Sequence, residues 1–304
     1  FAVPQNRALV RDLDRWRAAL TEIGERFTSF GRHFQIGQAI NRSKWGVWNG
    51  REYLRLASTA AEVLRRAGEV EILGPSVIDF EFHITAGILN LRRAGVHFDA
   101  VASLLYVDRR GAPENAQLGF DTVAKVTLLK AIAETARNSE GRSWITEVNW
   151  PLWEGPHAPA GRKVAVDEET QADYLVRYYV LTLCSGMVER VYWWQLVARG
   201  YGLVVEENGT LRHRPSFRAL AHLNRRLGGA TSLGPLPSPA GTCLYRFKTA
   251  SGEDIVVGWS VEGETEATLP APPAAAFDRD GAELPTPGSP TVSLGPSPRY
   301  HLLT

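Results

Sequence analysis

Between Phe1 and Leu227 the chain repeats one unit: a short apolar run, then a long amphipathic stretch. Leu9, Leu13, Trp16, Leu20, Ile23 and Phe27 recur every three or four positions and predict a helix over 9–30, closed by Gly31. A strand is expected at His33–Gln38, then a loop over 39–49. Helix follows at Gly50–Ala67 with Gly68 as its stop. The next units are a strand over 70–78 broken by Gly74-Pro75, helix 83–94, strand 98–106 and helix 120–137. After them come strand 144–147, helix 168–185, strand 188–195 and helix 216–227. Short strands alternating with long helices call for a parallel sheet with crossover helices. Beyond Gly228 the pattern changes. Gly, Pro and Ser increase, and short strands at 242–249, 254–261 and 266–269 are divided by turn residues. The expected organisation is a β/α domain over 1–227, a linker over 228–240 and a small antiparallel β domain over 241–304.

Charge excludes some partners. With 34 basic and 33 acidic residues the net charge is +1, which gives no electrostatic case for nucleic acid or an anionic membrane. No apolar run is long enough to span a bilayer. The seven His are scattered and no glycine-rich phosphate loop follows a strand, so neither a metal nor an organic cofactor is expected. Cys184 and Cys243 have no metal spacing and read as two buried thiols, with pairing left open. The start at Phe1 without Met is read as processed or truncated, which leaves a soluble cytoplasmic location or export after processing open.

Chemistry is expected at Trp144-Ile145-Thr146-Glu147-Val148-Asn149-Trp150. An apolar run ends in a carboxylate, with an amide and several tryptophans beside it. Aromatic faces stack on the C–H side of a sugar ring, and a fixed carboxylate attacks or stabilises its anomeric carbon. Nine Trp and nine Tyr in the chain favour the same ligand class. The competing reading is a strand end whose Glu faces solvent.

The series of strand ends resembles a clan A glycoside hydrolase, nearest to the β-xylosidase and α-L-iduronidase family, whose members are (β/α)8 TIM barrels that often carry a β-rich accessory domain. In that family the fourth strand ends in Gly-Asn-Glu-Pro-Asn and the seventh in Thr-Glu. Here Ile36-Gly37-Gln38-Ala39-Ile40-Asn41 stands at the first place and Ile145-Thr146-Glu147 at the second. Ile72-Leu73-Gly74-Pro75 resembles strand five, and Phe98-Asp99-Ala100-Val101, leading to Tyr106, resembles strand six. Tyr192-Trp193-Trp194 resembles strand eight, and the stretch Arg214 to Leu220 resembles the start of the last helix. On this register strands one to three are absent and Phe1–Pro4 is the tip of strand three. Five strands cannot close a barrel without exposing an open edge. The chain is therefore expected to be part of a longer product, or to be completed by another N-terminal segment. The alternative is that this register misplaces the start, and an intact barrel or open sheet uses fewer strands.

The resemblance implies roles at the C-terminal ends of strands, where barrels place their chemistry. Glu147 matches the nucleophile of a retaining glycosidase or transglycosidase, and Tyr106 the tyrosine that hydrogen-bonds it. Gln38 matches the residue bonding the sugar 2-hydroxyl, and Trp193 or Trp194 the floor of the sugar subsite. Asn41, Lys44 and Trp45 on one loop, and Asn149 beside the nucleophile, are further candidates for binding substrate. The departure is Ala39, where the family has its general acid/base glutamate; Leu104 likewise replaces a histidine common on strand six. A retaining pair needs its second carboxyl about 5–5.5 Å from the first. Glu81, with His83, is the first candidate to supply it, and Asp79, Asp108 and Glu114 are others. Otherwise the protein is a non-catalytic glycan-binding or polysaccharide-assembly protein. A third possibility is a substrate whose leaving group needs no proton, or transfer to a hydroxyl acceptor, with Arg42, Lys44 and Arg109 then favouring an acidic sugar or a phosphorylated glycan.

Overall fold

The computed structural model describes residues 1–154, 158–159 and 161–303, without the side chain of Arg109. Its first sheet has six strands in chain order: β1 (Ala2–Val3), β2 (His33–Ile36), β3 (Glu71–Ile78), β4 (Ala100–Leu104), β5 (Ser143–Val148) and β6 (Arg190–Trp193). β1 through β5 pair in parallel, each with the next. Helices α1 (Arg7–Arg11) and α2 (Leu13–Phe27) connect β1 to β2, and α3 (Gly50–Ala67) connects β2 to β3. The later crossovers are α4 (Phe82–Leu89), α5 (Thr122–Thr135) and α6 (Glu168–Cys184). This is part of a (β/α)8-type barrel.

Local chemistry explains where the elements depart from the periodicity. The single helix expected over 9–30 is two, because the Asp12 side chain accepts from Arg15 N at 2.9 Å and caps a new helix while its own backbone is extended. α3 has the expected bounds, with Asn49 Oδ1 accepting from Glu52 N at 3.0 Å. Gly74-Pro75 does not break β3. The pairing register with β4 shifts between Pro75 and Val77, so the residue lacking an N–H sits at a bulge. Gly74 has no room for a side chain: an added Cβ meets the Tyr53 hydroxyl and the Phe98 ring.

By internal contacts the chain forms two compact units. One comprises Phe1–Tyr106, Ala124–Val148 and Met187–Tyr192; the other comprises Val107–Val123, Asn149–Gly186 and Trp193–Thr304. In the first, Leu73, Ala100, Ala102 and Trp144 form a buried cluster on the sheet. The second holds the hairpin β7 (Val204–Glu207) and β8 (Thr210–His213), helix α7 (Pro215–Leu227) and the antiparallel C-terminal strands. These are β9 (Thr231–Pro235), β10 (Thr242–Lys248), β11 (Asp254–Ser260), β12 (Thr265–Thr268), β13 (Pro273–Phe277), β14 (Glu283–Leu284), β15 (Thr291–Leu294) and β16 (Arg299–Leu303). One sheet runs β14-β13-β16-β11-β10-β9, and β12 pairs with β15. Leu244, Val256, Leu269, Val292 and Leu294 fill the core of this β domain. Part of the stretch read as a linker is β9, which pairs antiparallel with β10. No helix among the described residues is long and apolar enough to cross a membrane.

Candidate active site

Three strand ends of the first unit meet at one carboxylate. Glu147 is the penultimate residue of β5 and only 7% exposed, which removes the solvent-facing reading. Tyr106, two residues past β4, donates from Oη to Glu147 Oε1 at 2.5 Å. Gln38, two residues past β2, donates from Nε2 to Glu147 Oε2. Both donors are buried. Hydrogen bonds to an ionised acceptor are the strong class, roughly 1.5–3 kcal/mol each.

Gln38 is itself held. Its backbone N donates to Gln5 Oε1 at 2.9 Å and its carbonyl accepts from Gln5 Nε2 at 3.1 Å. Its side-chain Oε1 faces Gln35 Nε2 at 3.3 Å. Gly37 makes the turn out of β2 with φ 92°, and a Cβ there would crowd Ile40 and Tyr53. Gln5 and Gln35 were not picked out from sequence. Their signal is a long amide at a strand end and one strand position before a turn, which alone does not separate them from core glutamines.

Ala39 follows in the left-handed region, φ 43°, and is buried. It supplies no proton. Three of the four carboxylates expected to replace a glutamate there are paired with other groups. Glu81 Oε1 pairs with Arg42 Nη1 at 2.7 Å and Oε2 accepts from Asn41 Nδ2 at 2.8 Å, while Asp79 takes Arg42 Nη2 at 2.7 Å. Glu114, in the second unit, is bound by the Arg177 guanidinium and by Trp259 Nε1 at 2.8 Å. Arg42 is thus already matched with two acids. Lys44 is exposed, and the Arg109 side chain lies outside the described residues.

The other sequence candidates divide between contact and support. Asn41 is a staple: its Oδ1 accepts from Ile78 N and its Nδ2 donates to Ile78 O, both at 3.0 Å. Trp45 is exposed on the same loop, with the Lys44 ammonium 5.7 Å from its ring. In the second unit Asn149 accepts from Arg110 at 3.1 Å and donates to the Trp194 carbonyl at 3.0 Å, so its amide bridges two loops. Trp193 stacks on Trp150 at 6.2 Å and donates to Tyr201 O at 3.0 Å, whereas Trp194 is 38% exposed. Of the two indoles, Trp194 is the one presented. The tryptophans bracketing Glu147 in sequence are core instead of wall. Trp144 donates to Glu189 at 2.9 Å, and Trp150 packs edge-on against Tyr174 and Tyr178. Cys184 and Cys243 are free thiols, each pushed up to about 12 by burial.

Parallel strands, crossover helices and a following β domain define a fold class, a partial (β/α)8-type barrel with a β-rich C-terminal domain, and here a buried carboxylate stands at the strand ends. No family model matches the chain, and no curated protein matches it. Solved structures do. A family 39 glycoside hydrolase from the gut symbiont Bacteroides cellulosilyticus is 18% identical with a TM-score of 0.72, over 96% of this chain and 62% of that one. A family 30 endoxylanase from Clostridium papyrosolvens is 12% identical with a TM-score of 0.64, over 96% and 72%. A family 51 arabinofuranosidase from Xanthomonas axonopodis pv. citri is 11% identical with a TM-score of 0.61, over 90% and 66%. At these identities the likeness is one of fold, and the chain spans 62% of the length of the first of these structures.

Proposed function

We propose that the chain acts on a glycan as a retaining glycoside hydrolase or transglycosidase, with Glu147 as nucleophile and a non-standard or missing proton donor. The observation that carries this reading is the buried Glu147 carboxylate between the Tyr106 hydroxyl and the Gln38 amide. Glu147 Oε forms a bond to the anomeric carbon as the bond from that carbon to the leaving oxygen breaks. The leaving oxygen departs as an anion, or takes a proton from water. A water or sugar hydroxyl then attacks the same carbon, loses its proton to solvent and releases the Glu147 carboxylate. The two donors restrain the nucleophile in the first step and stabilise it as leaving group in the second, because its charge returns then. Without a general acid, turnover of ordinary glycosides is expected to be lower by ~10²–10⁴-fold.

A second reading has its own support. Ala39, together with Glu81 and Glu114 already bound, fits a protein that holds a glycan without cutting it. Dinitrophenyl xylosides, arabinofuranosides and glucosides separate the two, since their leaving groups need no protonation. Wild type is expected to turn over at least one, and Glu147→Gln none. If wild type turns over no member of this panel, the hydrolase reading is wrong and the binding reading replaces it.

A further inference from the structure

A groove of about 650 Å³ opens along the loop that follows β2, lined by Ile40, Asn41, Val47, Trp48, Asn49 and Ile88, all in the first unit. Trp48 is 61% exposed. It is nevertheless fixed. The Arg7 guanidinium stands 3.7 Å from the ring centroid, held by Glu52 at 2.7 Å and by Gly46 O at 2.9 Å. Glu52 also accepts from Trp48 N at 2.9 Å, and the Arg7 hydrogen bond keeps its carboxyl below the usual carboxylate range. An exposed indole locked in this way loses little freedom when a ligand covers it.

The groove's chemistry suits a sugar ring. Trp48 offers a flat apolar surface, the aliphatic wall matches sugar C–H groups, and Asn49 uses its Oδ1 to cap α3, which leaves its Nδ2 donors for a hydroxyl. No charged side chain is among its lining residues, and the Arg7 guanidinium against Trp48 is balanced by Glu52, which suits a neutral sugar. The loop also ties it to Glu147. Gln38 donates to Glu147, and Asn41, three residues on, lines the groove. Asn41 lies within about 11 Å of Gln38 along the backbone, on the loop that also carries Trp48.

We propose that this groove is a distal subsite for a neutral glycan chain whose reacting ring lies at Glu147, so that the substrate is an oligo- or polysaccharide. The inference rests on the reading of Glu147 given above. Its test is calorimetric binding of xylobiose, xylohexaose, gentiobiose and gentiohexaose to wild type, Trp48→Ala and Trp48→Phe. For one of the two series the hexasaccharide should bind wild type about 10-fold tighter than the disaccharide, the size of one aromatic stacking contact. Trp48→Ala should bring that ratio close to one, and Trp48→Phe should keep most of it. The proposal is overturned if no hexasaccharide binds better than its disaccharide, or if Trp48→Ala keeps the ratio. The dinitrophenyl glycosides report on Glu147 separately. Turnover without length dependence removes the subsite alone; length dependence lost in Trp48→Ala without turnover keeps the groove and removes the nucleophile.

Discussion

Acid should destabilise the second unit through two histidines. His222 on α7 and His301 in β16 are each 3% exposed, and no ring nitrogen of either has a hydrogen-bond partner among the described residues. Tyr300 lies edge-on to His222 at 4.8 Å, with Phe277 at 6.0 Å. Burial lowers both rings from 6.5 to about 4. Arg226 and Arg225 push His222 the same way against Asp278 and Asp280, and Arg299 does so for His301. The folded values lie below the unfolded ones. Above pH 6.5 both states are neutral and no stability is lost. As pH falls from 6.5 towards 4, the unfolded chain takes up protons that the folded one refuses, so stability drops across that window and levels off below it. At pH 5 the loss is about 2 kcal/mol per histidine and about 4 kcal/mol for the pair. Urea unfolding at pH 7.5 and pH 5 measures it, against the double variant His222→Phe, His301→Leu. Carboxylates titrate alike in both proteins, so the difference between their pH-induced losses isolates the histidines. Equal losses in the two proteins would refute the reasoning, because the rings would then be protonated in the folded state or solvated within it.

Ala39→Glu should return a proton donor to the site. Release of reducing ends from an unactivated oligosaccharide is expected to rise ~10²-fold or more, with little change on dinitrophenyl glycosides; no gain would mean that residue 39 does not face the scissile bond. Arg177→Ala should cost about 3–5 kcal/mol in urea unfolding, because it leaves the Glu114 charge, among the described residues, with the Trp259 indole alone. Arg177→Met with Glu114→Gln should recover most of that loss, and a cost below about 1 kcal/mol for Arg177→Ala would show the pair to be solvated.

Elements with both a period and a stop were legible in the sequence. α3 is the clearest, with its apolar stripe between the Asn49 cap and Gly68. The split at Asp12 was visible only as chemistry, since the apolar spacing runs unbroken through it. In the tail β9, β13, β14, β15 and β16 were missed. Pro273–Phe277 is mostly alanine, with weak strand preference, and becomes a strand by pairing with β16. The site shows the same division. Glu147 is readable as a carboxylate at a strand end, whereas Tyr106 and Gln38 are picked out through the family resemblance; the structure brings the three side chains together. The clamp of Gln5 on Gln38 and the capture of Glu114 by Trp259, 145 residues away, are tertiary pairings with no local sequence signal.

Ala39 and the Trp48 groove have a common physical logic. A site without a proton donor must lower its barrier by other means, and only interactions stronger in the transition state than in the ground state do so. Binding energy from a remote part of the substrate is one such source, since it can offset distortion of the ring at the reacting carbon. The groove lies a short chain segment from Gln38, and its indole is fixed before ligand arrives. If the proposed roles of Glu147 and the groove hold, contact there is available for strain at the reacting ring instead of being lost in ordering a loose side chain. On that logic a shortened substrate loses kcat as well as affinity, whereas a groove that served retention alone would change KM and leave kcat untouched.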